Sequence, residues 1–280
     1  MEYIVKKEEK LIKFLIHNIQ GVSFGNAQKM LRTGKVKVNG KRIKDNMDLK
    51  VNDIIQVYNL TKSMPKVNLI YEDDKILVVN KPQGLECATR DKSSENTYSL
   101  EEILADKNAI VIHRLDRLTE GIVILAKNKQ VAKDFERFFR ERKVFKFYKA
   151  YVYGKPRDEG IKTAYLKKDE KLSKVTISDS PLDGYKEIIT EFKIEKSNDK
   201  YSLLDINLHT GRTHQIRGYF SHIGCPIIGD KKYSKNTSDL EKEYAGYYLT
   251  AYKISFNLDG EYTHLNEKTF EISPSWIKCI

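Results

Sequence analysis

From Val144 to Tyr153 the residues alternate in character, and a period of two is the mark of an extended strand with two different faces. Lys146, Tyr148, Ala150 and Val152 fall on one face. Phe145, Phe147, Lys149, Tyr151 and Tyr153 fall on the other. Ile76 to Val79, Ala109 to Ile112 and Gly121 to Leu125 read as buried strands, and residues 201 to 208 as another. Asn128 stands where it would cap a helix over residues 129 to 143, with Val131, Phe135, Phe138 and Phe139 as its apolar face. A second helix follows Thr210-Gly211-Arg212, with Ile216, Phe220 and Ile223 on its apolar face. The lysine-rich stretch 161 to 185 is weakly periodic and reads as an excursion or a ragged hairpin.

Composition excludes several classes of protein. The longest apolar runs are short, such as Gly121 to Ala126, whereas a spanning helix needs about 20 apolar residues. The opening, MEYIVKKEEK, lacks the apolar core of a signal peptide. Cys87, Cys225 and Cys279 are scattered and build neither a disulfide framework nor a zinc site. A cytoplasmic protein without a membrane anchor is therefore expected. The formal net charge of +11 favours an acidic partner.

That charge is uneven. Residues 1 to 60 hold 12 Lys or Arg against 6 Asp or Glu, a net +6. Leu11, Phe14 and Leu15 have helical spacing there, and Ala27, Met30 and Leu31 suggest a second short helix. Lys35 to Gly40 alternates and turns at Asn-Gly, a hairpin signal, and a strand near Asp53 to Tyr58 would close the unit. Residues 61 to 66, TKSMPK, read as a linker. The expected division is 1–60, a linker at 61–66, and one larger mixed domain over 67–280.

Three segments can carry chemistry. In His113-Arg114-Leu115-Asp116-Arg117 a carboxylate stands between two arginines, a setting that suits a nucleophile or a base. The plainer alternative is an aspartate capping a turn between strands. Lys146-Phe147-Tyr148 is by itself unremarkable in a chain with 17 tyrosines. Thr210-Gly211-Arg212-Thr213-His214-Gln215-Ile216-Arg217 puts a glycine turn before a helix, a setting for phosphate or carboxylate, and His214 and Arg217 lie three apart on that helix. His209, His214 and His222 lack metal-site spacing, and Asp73-Asp74 reads as a turn before Ile76. No metal and no cofactor is expected.

In this order the segments resemble the RluA-type pseudouridine synthases. His113-Arg114-Leu115-Asp116 with Thr119 and Gly121 resembles that family's aspartate motif. Lys146, Tyr148, Ala150, Val152 and Gly154 resemble its tyrosine-bearing strand. Thr210 to Arg217 with Gly224, Pro226, Gly229-Asp230 and Tyr233 resembles its third motif. Tyr71 to Leu85 looks like its opening, and Leu249, Ala251, Ile254 and Phe256 like its closing strand. Residues 1 to 60 are similar to the S-four type RNA-binding domain.

The resemblance implies an α+β chain: a small RNA-binding domain, then a mixed, mainly antiparallel sheet with flanking helices. It implies an RNA isomerase in which Asp116 is the essential carboxylate, acting as nucleophile or as a base toward a glycal. Arg217 would be its ion-pair partner, with Arg212 as second choice. Tyr148 would stack on the uracil and help move its proton, and Arg114 would enter the space left by the flipped base. Arg114, Arg212, His214, Arg32, Lys35 and Lys37 are the expected RNA contacts. Structured RNA is the expected partner: large-subunit ribosomal RNA, with transfer RNA as the alternative. A monomer is favoured. The rivals are a non-catalytic RNA-binding assembly factor and a phosphodiester hydrolase using Asp116 and His214. Glu120 stands where the family usually has a small residue. It would either face the cleft and add negative charge near Asp116, or pair with a basic neighbour. Gly218 also stands where a larger aliphatic residue is common.

Overall fold

The computed structural model describes residues 2–19, 24–58, 65–88, 98–170, 172–234 and 247–279. Residues 61–64 of the expected linker lie outside them. The chain divides into two compact units, Met1–Pro65 and Lys66–Ala88 with Ser99–Ile280.

The first unit contains β1 (Glu2–Ile4), β2 (Glu9–Lys10), α1 (Leu11–Asn18), α2 (Phe24–Arg32), β3 (Val36–Val38), β4 (Lys41–Arg42), β5 (Asp48–Leu49) and β6 (Ile54–Val57). The order β1-β6-β3-β4 makes one sheet, and β2 pairs with β5. The helical apolar sets converge as their spacing predicts: Leu11, Phe14, Leu15, Ala27, Met30 and Leu31 bury against Val36, Val38, Ile55 and Val57. Asn39 and Gly40 both take positive φ, 49° and 77°, the backbone of a two-residue hairpin turn. β1 pairs with the far edge of β6, and at three residues it is too short to show a period in the sequence.

The second unit contains β7 (Asn68–Glu72), β8 (Ile76–Lys81), α3 (Leu100–Ile103), β9 (Ile110–Val111), β10 (Glu120–Ala126), α4 (Lys129–Arg140), β11 (Val144–Tyr153), β12 (Gly160–Asp169), β13 (Lys174–Ser178), β14 (Lys186–Ser197), β15 (Tyr201–Leu208), α5 (Gln215–His222), β16 (Leu249–Phe256) and β17 (Thr269–Glu271). One sheet runs β13-β12-β14-β15-β11-β16-β10-β8-β7, with β9 on β10 and β17 on β16. Among the described pairs only β10 and β16 are parallel, so the sheet is mixed and mainly antiparallel.

β8 and β10 are apolar runs because both their faces are buried. Leu77, Val79, Val123 and Leu125 enter the core that holds Tyr148, Ala150 and α5's Ile216 and Phe220. Ile76, Val78, Ile122 and Ile124 enter the core under α4 with Phe135 and Phe138. Where β10 meets β16, Gly121 is required. Its φ is 132°, and a Cβ there would lie 2.3 Å from the Ala251 carbonyl oxygen.

Three expectations need correction. The Asn128 side chain caps α4 by accepting from Val131 N at 2.9 Å, but the helix stops at Arg140 rather than at 143. Arg142 adopts φ 58°, and Lys143 N returns to the Phe138 carbonyl, so a left-handed cap ends the helix without glycine. Of the two readings of the lysine-rich stretch the hairpin holds and the excursion does not, and the hairpin is regular rather than ragged: β12 and β13 pair in unbroken register from Tyr165–Ser178 to Asp169–Lys174. Its exposed faces carry the lysines, which dilutes the period. The same dilution hid β14, whose Ile188, Thr190 and Phe192 are buried between charged residues. Finally, the strand read at 109–112 is only β9's two residues.

Candidate active site

Asp116 sits on the loop from β9 to β10, and the fold pins that loop on both sides. Before it, Leu115 N donates to the buried Cys87 sulfur at 3.3 Å. After it, the Arg117 carbonyl accepts from Gly84 N at 2.8 Å and from Lys81 Nζ at 3.4 Å. Lys81 is fully buried and also donates to the carbonyls of Leu85 (2.8 Å) and Pro82 (3.2 Å). Burial pushes its ammonium down to about 8. Upstream, His113 Nε2 accepts from Ile124 N at 2.9 Å. Burial, with Lys146 nearby, lowers the His113 pKa to about 3, so this ring is neutral.

α5 supplies the counter-charge. Arg217 Nη1 donates to Asp116 Oδ2 at 2.9 Å. Behind it, Arg217 Nε and Nη2 grip Asp230 Oδ2 and Oδ1 at 2.8 and 3.0 Å, a two-pronged pair of the kind guanidinium geometry favours. Burial opposes the charge on Arg217, but the bonds to Asp230, together with the electrostatic pull of Tyr247, Asp230 and Asp116, outweigh it and hold the guanidinium above its ordinary range. The Tyr247 hydroxyl donates to Asp230 Oδ2 at 3.2 Å, and Lys232 N and Tyr233 N donate to Oδ1. Asp230 thus holds the arginine that holds Asp116.

His214 precedes α5 at φ 53°, a strained conformation for a residue with a side chain. Its Nδ1 meets the Tyr233 hydroxyl at 2.8 Å, and that hydroxyl accepts from Val175 N. Its Nε2 lies 3.7 Å from Asp116 Oδ2. Burial lowers the His214 pKa to about 4, against the pull of Asp116. Gln215 locks the preceding turn: its Oε1 accepts from Thr210 Oγ1 and Arg212 N, and its Nε2 donates to the Ile189 carbonyl and Thr190 Oγ1.

These groups open on one cleft of about 410 Å³. Tyr148 of β11 forms part of its wall. The ring is 7% exposed, and among the described residues its hydroxyl has no hydrogen-bond partner. Burial, then the charge of Asp116, raises its pKa. Asp116 is the only carboxylate lining the cleft among the described residues. Arg114, Arg140, Lys146 and Arg212 line it too, and none of the four has a carboxylate partner among the described residues.

Asp116, Tyr148 and Arg217 therefore meet, with Arg114, Arg212 and His214 around them. The partner of Asp116 is Arg217, not the second choice Arg212, which is exposed and reaches no carboxylate among the described residues. The turn-cap alternative fails as well: the backbone carbonyl of Asp116 serves the turn by accepting from Thr119 N, and its side chain reaches Arg217. Arg117, adjacent in sequence, is outside the cleft lining. Arg32, Lys35 and Lys37 belong to the first unit: Arg32 and Lys35 are exposed, and Lys37 Nζ lies 5.1 Å from the centre of the Tyr58 ring. The sequence reading assigned no role to Asp230, Tyr233, Tyr247, Lys146 or Arg140. Asp230 and Tyr233 stood in its third motif, but what they touch is set by the fold.

The RNA pseudouridylate synthase family matches residues 75–222 of the chain. An uncharacterized RNA pseudouridine synthase of Aquifex aeolicus is 31% identical over 97% of this chain and 95% of its own length. The chain belongs to the RNA pseudouridine synthases. It is an isomerase that converts uridine in RNA to pseudouridine. Ribosomal large subunit pseudouridine synthase C of Buchnera aphidicola subsp. Baizongia pistaciae is 32% identical over 81% of this synthase and 78% of the relative. In fold, the synthase is similar to human RNA pseudouridylate synthase domain containing 4, with a TM-score of 0.61 at 21% identity over 76% of this chain and 90% of the other.

Both departures from the family pattern have structural answers. Glu120 does not line the cleft, and among the described residues it forms no salt bridge, though its charge reaches the nearby Lys81. Glu120 is buried and accepts from Thr250 Oγ1 (2.8 Å), Ser275 N (2.8 Å) and Ser275 Oγ (2.7 Å). Trp276 Nε1 also donates to Thr250 Oγ1, so the carboxylate ties the C-terminal turn to the sheet. Gly218 lacks a side chain because β13 lies against α5: a Cβ there would be 2.5 Å from Val175 Cγ2.

Proposed function

We propose that the synthase takes a uridine out of a structured RNA into the Asp116 cleft, with Asp116 as the essential carboxylate. One observation carries this reading. The cleft's sole carboxylate among the described residues is ion-paired to Arg217, while four further cations along its walls have none. Such a surface suits a polyanion that delivers a neutral base to one reactive group. Asp116 attacks the anomeric ribose carbon as its bond to uracil N1 breaks, or removes the adjacent C2′ proton as that bond breaks to leave a glycal, and Arg217 holds it in position for either step. The ring of Tyr148 stacks on the uracil. Burial and the charge of Asp116 keep the Tyr148 hydroxyl protonated at neutral pH, so it acts as a relay, passing its own proton to solvent as it takes up the one that leaves the uracil carbon. Arg114, exposed at the rim, fills the space left by the base. Extrusion costs a few kcal/mol, and contacts to the flanking phosphates offset it.

The first unit, of net charge +6 over residues 1–60, acts as an S-four type RNA-binding domain through Arg32, Lys35 and Lys37. Large-subunit ribosomal RNA is the proposed substrate and the cytoplasm the proposed site of action. The name of the Buchnera relative supports the ribosomal substrate. Pseudouridine mapping of RNA from cells lacking the gene, with and without the restored gene, tests it. A modification that disappears from and returns to large-subunit ribosomal RNA is expected. Gain and loss confined to transfer RNA refutes the substrate assignment.

A further inference from the structure

Lys146 is a cleft cation that the fold has largely buried without giving it a counter-charge. It lies on β11, two residues before Tyr148 and on the same face, about 7 Å away along the strand. Its Nζ makes no hydrogen bond or ion pair among the described residues. Its surroundings are the Phe139 ring, whose centre is 5.6 Å away, the neutral His113, and Gly211, where a Cβ would come within 3.2 Å of Nζ. Arg217, the buried cation of the cleft, has two carboxylates. An ammonium in such a place carries three unused donors and a charge that burial opposes, which lowers its pKa to about 8. Something that binds here must bring an anion. Uracil and ribose are neutral, and the phosphodiester is the one anionic group an RNA strand carries.

We infer that Lys146 anchors the backbone phosphodiester beside the reacting uridine, the substrate supplying the counter-ion that the protein withholds. This rests on the assignment of the cleft to the RNA substrate. It makes Lys146 a binding residue that fixes the position of the nucleotide from its phosphate, while Tyr148 holds the base. Gly211 keeps the ammonium open to the strand, since any side chain there would crowd it.

The test uses the full chain and total RNA from cells lacking its gene, which holds the natural target unmodified. Lys146→Met keeps most of the apolar stem and removes the charge. Its kcat/KM should fall about tenfold or more, chiefly through KM. The slope of log affinity against log salt should shrink by about one phosphate's share, 0.7 to 0.9. Its thermal unfolding temperature should rise, because an uncompensated, partly buried charge has gone. Lys146→Arg should keep the salt slope. Random ethylation of RNA phosphates should block conversion at a phosphate next to the target uridine for the wild type, and that block should vanish for Lys146→Met. An unchanged salt slope, or an ethylation block that persists in Lys146→Met, overturns the phosphate contact while leaving the cleft assignment standing. A wild-type chain that forms no pseudouridine in this RNA removes the cleft assignment, and the phosphate contact with it.

Discussion

Asp230→Asn probes the arrangement from behind, because Asp230 is 2% exposed and does not line the cleft. The exchange preserves shape and removes one acceptor and one charge. In the native site Oδ2 receives Arg217 Nε and Tyr247 Oη, and Oδ1 receives Arg217 Nη2, Lys232 N and Tyr233 N. Whichever way the amide is turned, its NH2 group confronts at least two of these donors. Each lost bond to the guanidinium is worth about 1.5–3 kcal/mol. Removing one partner of a buried ion pair costs about 3–5 kcal/mol in all, and Asp116 can repay only part of that from a single contact. The unfolding free energy of the larger unit, measured by urea titration, should therefore drop by about 3 kcal/mol or more. With Arg217 free to swing, Asp116 loses its fixed position, and kcat should fall about 100-fold with KM nearly unchanged. Tyr247→Phe deletes one of the five bonds and should show the milder version of both effects. A variant as stable and as fast as wild type would show that Asp230 does not position the site, and the chain of support from Asp230 through Arg217 to Asp116 would be wrong.

Other consequences follow from the same geometry. Tyr148→Phe should fold and bind RNA normally, since among the described residues the hydroxyl has no partner, yet lose about 10²- to 10⁴-fold in turnover; full turnover removes the hydroxyl from the mechanism. Glu120→Ser strands the donors of Thr250 and Ser275 and should cost about 1–3 kcal/mol in unfolding free energy. Turnover of the folded enzyme should be spared, because Glu120 is absent from the cleft lining, and a selective loss of kcat contradicts that placement. His113 and His214 stay neutral in the fold, with pKa values lowered to about 3 and about 4 from 6.5. Below pH 6.5 the unfolded chain takes up protons that the folded one refuses, so their effect is a stability that falls as pH drops from 6.5 toward 4 and levels off below about 3. Replacing His214 with Gln should flatten the upper part of that fall, and an unchanged profile would mean that His214 protonates freely in the fold.

The sequence was informative where chemistry is local. Period-two alternation located β11, capping located the start of α4, and helical spacing located the first unit's core. The contact of Arg217 with Asp116 spans 101 positions and leaves no local pattern. It became an expectation only through the order of the motifs. Asp230, Tyr233 and Tyr247 act by touching one another around Arg217, and spacing along the chain does not encode such contacts. β12 to β14 were hard to read because lysines and glutamates occupy their exposed faces and break the apolar rhythm. Glu120 could be read only as an exception, since its three donors come from Thr250 and Ser275, which are far away in sequence.

The central claim is that the carboxylate of Asp116 performs the isomerisation. Purified Asp116→Asn, incubated in excess over RNA from cells lacking the gene, tests it most directly, because one turnover suffices to leave a product. The asparagine can still accept a hydrogen bond from Arg217, so the variant should fold, bind the RNA and leave every target uridine unchanged. Pseudouridine accumulating at the wild-type positions would contradict the account.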